Sequence, residues 1–293
     1  MQLTLERMLL KEIEQNLSSK ELINASKYIN LSYSIFSTDE QLWEEIKHAF
    51  GDRYISIFEK YSNKIIANRF INELLLKYYP CERTVKYALV NSLKSKQDTV
   101  LFEMPVLDSR VDVCRINGNS YAYEIKTEFD SLKRLRKQID DYSNVYEYVF
   151  VVIPKSFYKE VIEVIPDYCG IRILQHDYNT GKISFLAKRK AKKSPNINPI
   201  SQLNSLSKEN IGMWLYEKGI KKIPYSKEDR INYIIKRYSS MTINHAFKQI
   251  VKFSYKNNWS FLLEHYNEIL PIDIQAFFNN SLDPKLLYLK NMD

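Results

Sequence analysis

The chain has 293 residues, of which 45% are hydrophobic and 27% charged, with a formal net charge of +8. This length and composition predict a globular protein of two domains, or of one domain with additions. No apolar run is long enough to span a membrane, and the N-terminus lacks a signal-peptide pattern. The three scattered cysteines argue against a zinc motif or a disulfide framework. We therefore expect a cytoplasmic protein with no membrane partner.

The positive charge is concentrated in the second half of the chain. Residues 1–62 hold seven Lys and Arg against ten Asp and Glu, whereas residues 205–260 hold eleven against four. Residues 182–193 hold six basic residues and no acid. Because phosphate contacts dominate affinity for nucleic acid, this distribution predicts a nucleic-acid partner, and the alternative is a solvated basic surface without one.

Residues 1–93 have the apolar spacing of helices. In the helix predicted over 81–93, Glu82 lies on the same side as Val85 and Leu89. A buried carboxylate needs a partner or a metal, so Glu82 is a candidate site residue. The alternative is a first-turn carboxylate favoured by the helix dipole. Glu73, in the helix predicted over 62–79, is a rival candidate on a face that looks solvated.

A strand over 99–104 precedes a predicted β-hairpin, and its Glu103 is either an extra ligand near the site or a solvated acid at a strand end. Residues 110–115 and 121–126 alternate between apolar and polar, with a turn centred on Gly118 between them. A loop symmetric about Gly118 places Asp112 opposite Glu124, and Arg110 opposite Lys126, on one face. A slip of one residue would make the first pair diagonal.

Two carboxylates and a lysine on one sheet face have a chemical interpretation. Carboxylate oxygens suit Mg²⁺, and a bound metal lowers the pKa of water and offsets charge on a phosphate. The lysine would hold water or neutralise the phosphate. The alternative is a cross-strand ladder of ion pairs on a solvated face.

The next predicted helix begins at Asp130 or Ser131 and carries Arg134, Gln138 and Tyr142 at four-residue steps. Arg134 is expected either to contact a phosphate or to pair with Asp130. An apolar strand over 147–153, a helix over 156–165 and strands over 170–174 and 182–186 follow. The resulting order is α-β-β-β-α-β, then α-β-β.

A polar, basic segment with two prolines follows the last strand and predicts a linker over 191–204. A run of basic residues lies at the junction of the last strand and this segment. We predict that it contacts the DNA backbone or, alternatively, that it is the solvated end of the strand; its residues are Lys188, Arg189, Lys190, Lys192 and Lys193. Residues 205–293 are predicted to be helical.

The hairpin residues resemble the signature of the PD-(D/E)xK nuclease superfamily. Asp112 followed by Glu124-Ile125-Lys126 matches its Asp and (Asp/Glu)-x-Lys, although Val111 stands where the proline of the name would be. Gln138 and Tyr142 are similar to the Gln-x-x-x-Tyr motif of the RecB-like branch. Asp130-Ser131, with Arg134, also resembles a set of uncharacterised bacterial proteins assigned to the superfamily. The resemblance covers about residues 80 to 190.

This resemblance implies an α/β protein with a restriction-endonuclease-like αβββαβ core over 63–190, between a helical region over 1–62 and a basic helical domain over 205–293. It further implies a nuclease that hydrolyses phosphodiester bonds, most readily in DNA, and that acts in defence or repair. Its Mg²⁺, replaceable by Mn²⁺, would be held by Asp112 and Glu124, with Glu82 as a third carboxylate. Lys126 would orient water, while Gln138, Tyr142 and Arg134 would support the site.

Two other classes remain open. One is a nucleic-acid-binding module with a nuclease fold and little or no catalysis, and the other is a regulatory partner in a defence or repair system. Homodimerisation is also left open.

Overall fold

The structure is a computed structural model that describes residues 4–288. It is a mixed α/β protein that divides into two compact units. Unit 1 comprises the described parts of 1–91, 176–184 and 264–293, and unit 2 comprises 92–175 and 185–263. The helices are α1 (Leu5–Glu14), α2 (Ser19–Ser32), α3 (Asp39–Phe50), α4 (Ile55–Ser62), α5 (Ala67–Tyr78), α6 (Glu82–Leu93), α7 (Leu135–Ser143), α8 (Tyr158–Val164), α9 (Pro199–Asn204), α10 (Lys208–Glu217), α11 (Lys227–Ile235), α12 (Ser240–Ser254), α13 (Lys256–His265), α14 (Ile274–Asn280) and α15 (Pro284–Leu287).

Unit 1 is built around helix α5, against which α1, α2 and α3 pack. Its core includes Trp43, Phe58 and Phe70, whose ring centroids lie 6.0 to 6.3 Å apart. The helix predicted over 62–79 is α5, which spans only Ala67–Tyr78, and position 62 is the last residue of α4. Helix α5 begins at Ala67 because the Asp39 carboxylate accepts the Ala67 N–H at 2.6 Å, which satisfies a donor at the new helix terminus.

One six-stranded mixed sheet holds all the strands in the order in which they occur along the chain. Strands β1 to β3 are antiparallel, and β3, β4 and β5 are parallel neighbours. The outer parts of β5 and β6, residues 176–184, belong to unit 1. The strands are β1 (Thr99–Val106), β2 (Ser109–Asn117), β3 (Asn119–Ile125), β4 (Tyr148–Pro154), β5 (Gly170–Asp177) and β6 (Lys182–Arg189).

The predicted register of the hairpin is confirmed. Asn117 pairs with Asn119 across Gly118, and the ladder continues inward to the pair of Val113 with Tyr123. Gly118 has φ +64°, the left-handed conformation that glycine adopts most readily, so it can close this tight turn. The predicted apolar face is confirmed as well, because Val111, Val113, Tyr123 and Ile125 are all buried.

Two helices of unit 2 pack against the sheet. Helix α7 packs on β2, β3 and β4 as the crossover between the parallel strands β3 and β4, and α12 contacts β2, α9 and α10. Serine side chains cap the N-termini of α10, α11 and α12. Each serine hydroxyl accepts a hydrogen bond from the backbone N–H three residues later; the capping residues are Ser207, Ser226 and Ser239. These caps therefore define where the helices in the C-terminal part of unit 2 begin.

Residues 191–204, predicted to be a linker, are packed within unit 2. Ser194 is buried, its N–H donates to the Glu147 carbonyl, and its hydroxyl donates to the Ser143 carbonyl at 2.7 Å. Helix α9 occupies the end of the segment, and the buried Gln202 donates to the Val145 carbonyl. The two prolines that suggested a linker, Pro195 and Pro199, both lie within this packed segment. Pro199 is the first residue of α9, a position that proline favours.

The buried cysteines Cys81, Cys114 and Cys169 are free thiols. Within residues 4–288, no helix is both long and apolar enough to cross a bilayer.

Candidate functional site

Three carboxylates form a row across the first three strands. Glu103 of β1 stands opposite Asp112 of β2, at the one position where the ladder between these strands is interrupted. One step beyond the pair of Val113 with Tyr123, the register of the hairpin places Glu124 of β3 opposite Asp112. Three like charges in neighbouring positions repel one another unless cations or hydrogen-bond donors compensate them.

Glu103 occupies an unusual backbone conformation. Its φ is +55°, the left-handed region that a non-glycine residue enters at a cost of about 1–2 kcal/mol. This conformation accounts for the interrupted ladder, and it accompanies a close ion pair between Glu103 Oε2 and Arg110 Nε at 2.5 Å. Such strain is often found where a fold positions a particular side chain.

Glu124 is held at both of its oxygens. Its Oε1 lies 2.6 Å from Lys126 Nζ, and its Oε2 accepts from the Tyr142 hydroxyl at 2.7 Å. Lys126 also donates to Gln138 Oε1 at 3.1 Å. The Glu124 side chain is 1% exposed and that of Lys126 is 10% exposed, so this is a buried polar network and differs from the alternative of a solvated ladder.

The Tyr142 hydroxyl serves as a donor within this network. Burial, followed by the neighbouring Glu124 charge, raises its pKa well above the ordinary value of 10.0. The phenol therefore stays protonated, and its one proton is shared between Glu124 and the Arg110 carbonyl, 2.6 Å away. Helix α7 thus fixes the sheet site through Tyr142 and Gln138.

Asp112 stabilises the end of the hairpin. Its Oδ2 accepts the Ile125 backbone N–H at 2.6 Å, just beyond the last backbone pair of β2 and β3. Asp112 and Glu103 each offer an oxygen within 4.8 Å of the other. These two hard oxygen donors fit a divalent cation such as Mg²⁺, whereas Glu124 would first have to release Lys126 or Tyr142.

Arg134 and Glu82 are the remaining residues predicted for the site. Arg134 is exposed at the N-terminal boundary of α7, and the expected pair with Asp130 is absent because Asp130 Oδ2 accepts from the N–H and hydroxyl of Thr127. In unit 1, Glu82 forms an ion pair with the buried Lys86 at 2.6 Å. Its rival Glu73 pairs with Arg7 at 2.8 Å, so that side chain is not simply solvated.

The predicted DNA-binding run is mostly exposed, although three of its cations also have partners within unit 2. Arg189 donates to the Cys169 and Pro166 carbonyls, and Lys193 lies 3.2 Å from Glu147. Lys188 lies over the Tyr158 ring at 5.4 Å. Lys188, Lys190, Lys192 and Lys193 are all exposed, and Arg189 is half-buried. Part of this charge therefore holds unit 2 together.

Glu147 is a buried residue whose importance was not apparent from the sequence. Its carboxylate accepts from the Ser120 N–H at 2.9 Å, from Asn244 at 3.0 Å and from Lys248 at 3.0 Å, and it also faces Lys193. Burial raises its pKa, but the hydrogen bonds from Lys248, Ser120, Asn244 and Lys193 outweigh that effect and lower it. The available signal was an acid immediately before a wholly apolar strand.

The fold and these contacts define an α/β protein with a buried ion-pair network beside C-terminal helices rich in lysine. The chain belongs to the Bacteriophage P4 protein cII family, whose family model matches residues 77–277, more than half of the chain. It is 30% identical over 145 residues to Protein cII of Enterobacteria phage P4, an alignment that covers 47% of this chain. The aligned segment spans about half of that relative, 54% of its length. No solved structure matches the chain.

This family membership corrects the prediction made from the hairpin motif. Assignment to the PD-(D/E)xK superfamily, phosphodiester hydrolysis and classification as a Mg²⁺-dependent nuclease or hydrolase of defence or repair are wrong, because the family that matches is that of protein cII. The motif misled because Asp112, Glu124 and Lys126 also satisfy a purely structural requirement. Asp112 accepts an amide at the open end of the hairpin, Lys126 neutralises Glu124, and such spacing is not specific to catalysis.

Proposed function

We propose that this chain is a non-catalytic nucleic-acid-binding protein with a regulatory role in the cytoplasm. It would act by occupying nucleic acid and controlling the access of other proteins to it. Family membership supports this proposal over a catalytic one, and the internal saturation of Glu124 and Lys126 agrees with it.

The observation that carries the proposal is the separation of charge within unit 2. The carboxylates converge inside the sheet, where cations and backbone donors hold them. The C-terminal helices and their connections present cations outward, and among residues 4–288 no carboxylate forms an ion pair with the exposed Lys218, Lys221, Lys222, Arg237 or Lys256. Such unpaired surface cations release counterions from a phosphate backbone and thereby provide affinity.

The sheet would serve as the scaffold for this surface. The order α6-β1-β2-β3-α7-β4 supports a restriction-endonuclease-like αβββαβ arrangement over 63–190, here proposed as architecture without its chemistry. Mg²⁺, or Mn²⁺, is proposed to bind at Asp112 with Glu103 and to reduce the repulsion within the carboxylate row.

The experiment measures binding of the full-length protein to labelled duplex DNA, single-stranded DNA and RNA by fluorescence anisotropy across a range of salt. We expect binding that weakens with salt and DNA that keeps its full length in Mg²⁺. Lys221→Gln with Lys222→Gln should reduce the slope of log affinity against log salt by about 0.9 for each lost duplex phosphate contact.

The matched control is Lys20→Gln with Lys27→Gln, which removes two exposed lysines from unit 1. This control should leave the slope nearly unchanged. Absence of binding at low salt, or equal effects of the two double variants, would overturn the proposal.

A further inference from the structure

A groove lies between α10 and α12 in unit 2, and its walls follow from helical periodicity. Positions 210, 213, 214 and 217 share one face of α10, and positions 249, 250 and 253 share one face of α12. The cavity between them is about 320 Å³, at the lower end of the range of ligand pockets. It is lined by Asn210, Met213, Trp214, Glu217, Gln249, Ile250, Lys252, Phe253 and Ser254.

Two residues of the lining each carry a buried polar atom that lacks a hydrogen-bond partner within the described residues. Among residues 4–288, no group accepts a hydrogen bond from Trp214 Nε1 and none bonds with Ser254 Oγ, although Trp214 is 4% exposed. A buried polar group without a hydrogen bond destabilises the fold, so a ligand that hydrogen-bonds to these atoms would gain binding free energy. The indole nitrogens of Trp43 and Trp259 also lack partners. Trp214 is a candidate for ligand binding because, in addition, it lines a cavity.

The rim of the groove exposes large apolar side chains. Phe253 is 62% exposed and Met213 is 45% exposed, and both also line a second cavity that continues past Ser254 to Lys256 and Asn257. A flat aromatic ring beside buried donors and the side-chain amides Asn210 and Gln249 is the combination that binds a nucleobase, by stacking on its face and hydrogen bonding at its edge.

The charge around the groove agrees with this ligand. Lys252 lines the first cavity and donates to the Gln97 carbonyl at 3.0 Å, which leaves its positive charge in place. Lys256 lines the second cavity, and Glu217 is the carboxylate in the first. Cations beside an aromatic groove are how proteins follow the backbone of single-stranded nucleic acid.

We propose that the groove between α10 and α12 binds an unpaired base of single-stranded nucleic acid, with the base stacked on Phe253 and its edge hydrogen-bonded to Trp214 Nε1 and Ser254 Oγ. This inference rests on the proposed nucleic-acid-binding function and specifies its ligand. Duplex DNA does not satisfy the groove, because its base faces are stacked and inaccessible.

The test compares three probes on the full-length protein at one salt concentration: a 12-nucleotide single strand, as DNA and as RNA, an abasic strand of equal length and charge, and a duplex. One base stacked on an aromatic side chain corresponds to about 5- to 150-fold in affinity, so the strand with bases should bind at least about 5-fold more tightly than the abasic strand. Phe253→Ala should remove this preference and leave affinity for the abasic strand unchanged. Trp214→Phe, which keeps a ring and loses the N–H, should reduce it.

Tyr216→Ala is the matched control, because Tyr216 is an exposed aromatic residue of α10 that does not line the cavity. It should retain the preference for bases. Equal binding of the abasic strand and the strand with bases by the parent protein, or no effect of Phe253→Ala, would overturn the groove assignment while leaving nucleic-acid binding in place. Failure of every probe to bind would overturn the proposed function itself.

Discussion

Glu147 and Lys248 connect the start of the buried strand β4 to helix α12 through an ion pair of 3.0 Å between Oε2 and Nζ. Glu147 is buried, Lys248 is partly buried, and the same Lys248 nitrogen donates to the Gly118 carbonyl in the hairpin turn at 2.7 Å. Two residues therefore join three parts of unit 2.

Glu147→Ala is expected to lower the free energy of unfolding by roughly 3 kcal/mol, because it removes the acceptor of the Ser120 N–H and leaves the partly buried Lys248 ammonium without its carboxylate partner. Since the pKa of Glu147 is lowered in the fold, its contribution is present above the unfolded pKa and is lost as pH falls through the folded pKa. Denaturant unfolding at pH 7 measures the effect. Glu128→Ala, at an exposed acid, is the control and should change little.

Lys126 tests whether the network is structural. The polar pattern of the hairpin predicts that Lys126→Ala would leave folding nearly intact, but burial of Lys126 beside Glu124 reverses that expectation. Lys126→Met should lose about 3 kcal/mol of stability, since it strands a buried carboxylate. Adding Glu124→Gln, which retains an acceptor for Tyr142, should recover part of the loss. Additive effects of the two substitutions would show that the pair is not coupled.

Asp273 should give unit 1 a measurable pH dependence. Burial raises its pKa to about 6 from an ordinary value of 3.8, although hydrogen bonds from Tyr288 and Tyr33 act in the opposite direction. Because the folded state holds this proton more tightly, stability is greatest below the unfolded pKa and falls as pH rises through about 6.

At about 1.4 kcal/mol per pKa unit, the difference between 6 and 3.8 corresponds to about 3 kcal/mol. Asp273→Asn should remove this component. Unfolding free energies of parent and variant at pH 4 and pH 7.5 provide the measurement, and parallel pH profiles would contradict the assignment.

Divalent cations should stabilise the protein through Asp112. Mg²⁺ at ten times its Kd should add about 1.4 kcal/mol to the free energy of unfolding. Asp112→Asn should abolish this gain, because it removes one carboxylate charge but keeps an acceptor for the Ile125 N–H.

In chelator, Asp112→Asn should be neutral or stabilising, because the charge of Glu103 then meets less repulsion. The control is Asp108→Asn, at an acid whose side chain is 84% exposed. Retention of the full Mg²⁺ effect in Asp112→Asn would place the ion elsewhere.

Local patterns predicted the hairpin well and its role poorly. Alternation on both sides of Gly118 sufficed to place Asp112 and Glu124 at one level of the sheet, since a two-residue period and a tight turn determine the register. The partners of Lys126 were not predictable in the same way, because the approach of Gln138 and Tyr142 depends on how α7 crosses the sheet.

The details of the site that were not predicted depend on backbone conformation and on contacts far apart in sequence. Glu103 enters the carboxylate row through a left-handed backbone that no apolar pattern encodes. Glu147 acquires donors from Asn244 and Lys248, about 100 positions away, and the orphan nitrogen of Trp214 is defined only by what surrounds it. Spacing alone therefore could not distinguish a network that stabilises the fold from one that performs chemistry.

Because the Ile125 N–H donates to the Asp112 carboxylate, the hydrogen bonding at the open end of the hairpin depends on the state of that carboxylate. Most amides between β2 and β3 are held by backbone carbonyls, but the Ile125 amide, like the Ser120 amide on Glu147, is held by a side-chain carboxylate. A cation or a proton that draws the Asp112 carboxylate away would leave the Ile125 amide without this acceptor. Hydrogen–deuterium exchange at Ile125 would thus report the occupancy of the carboxylate row from within the sheet.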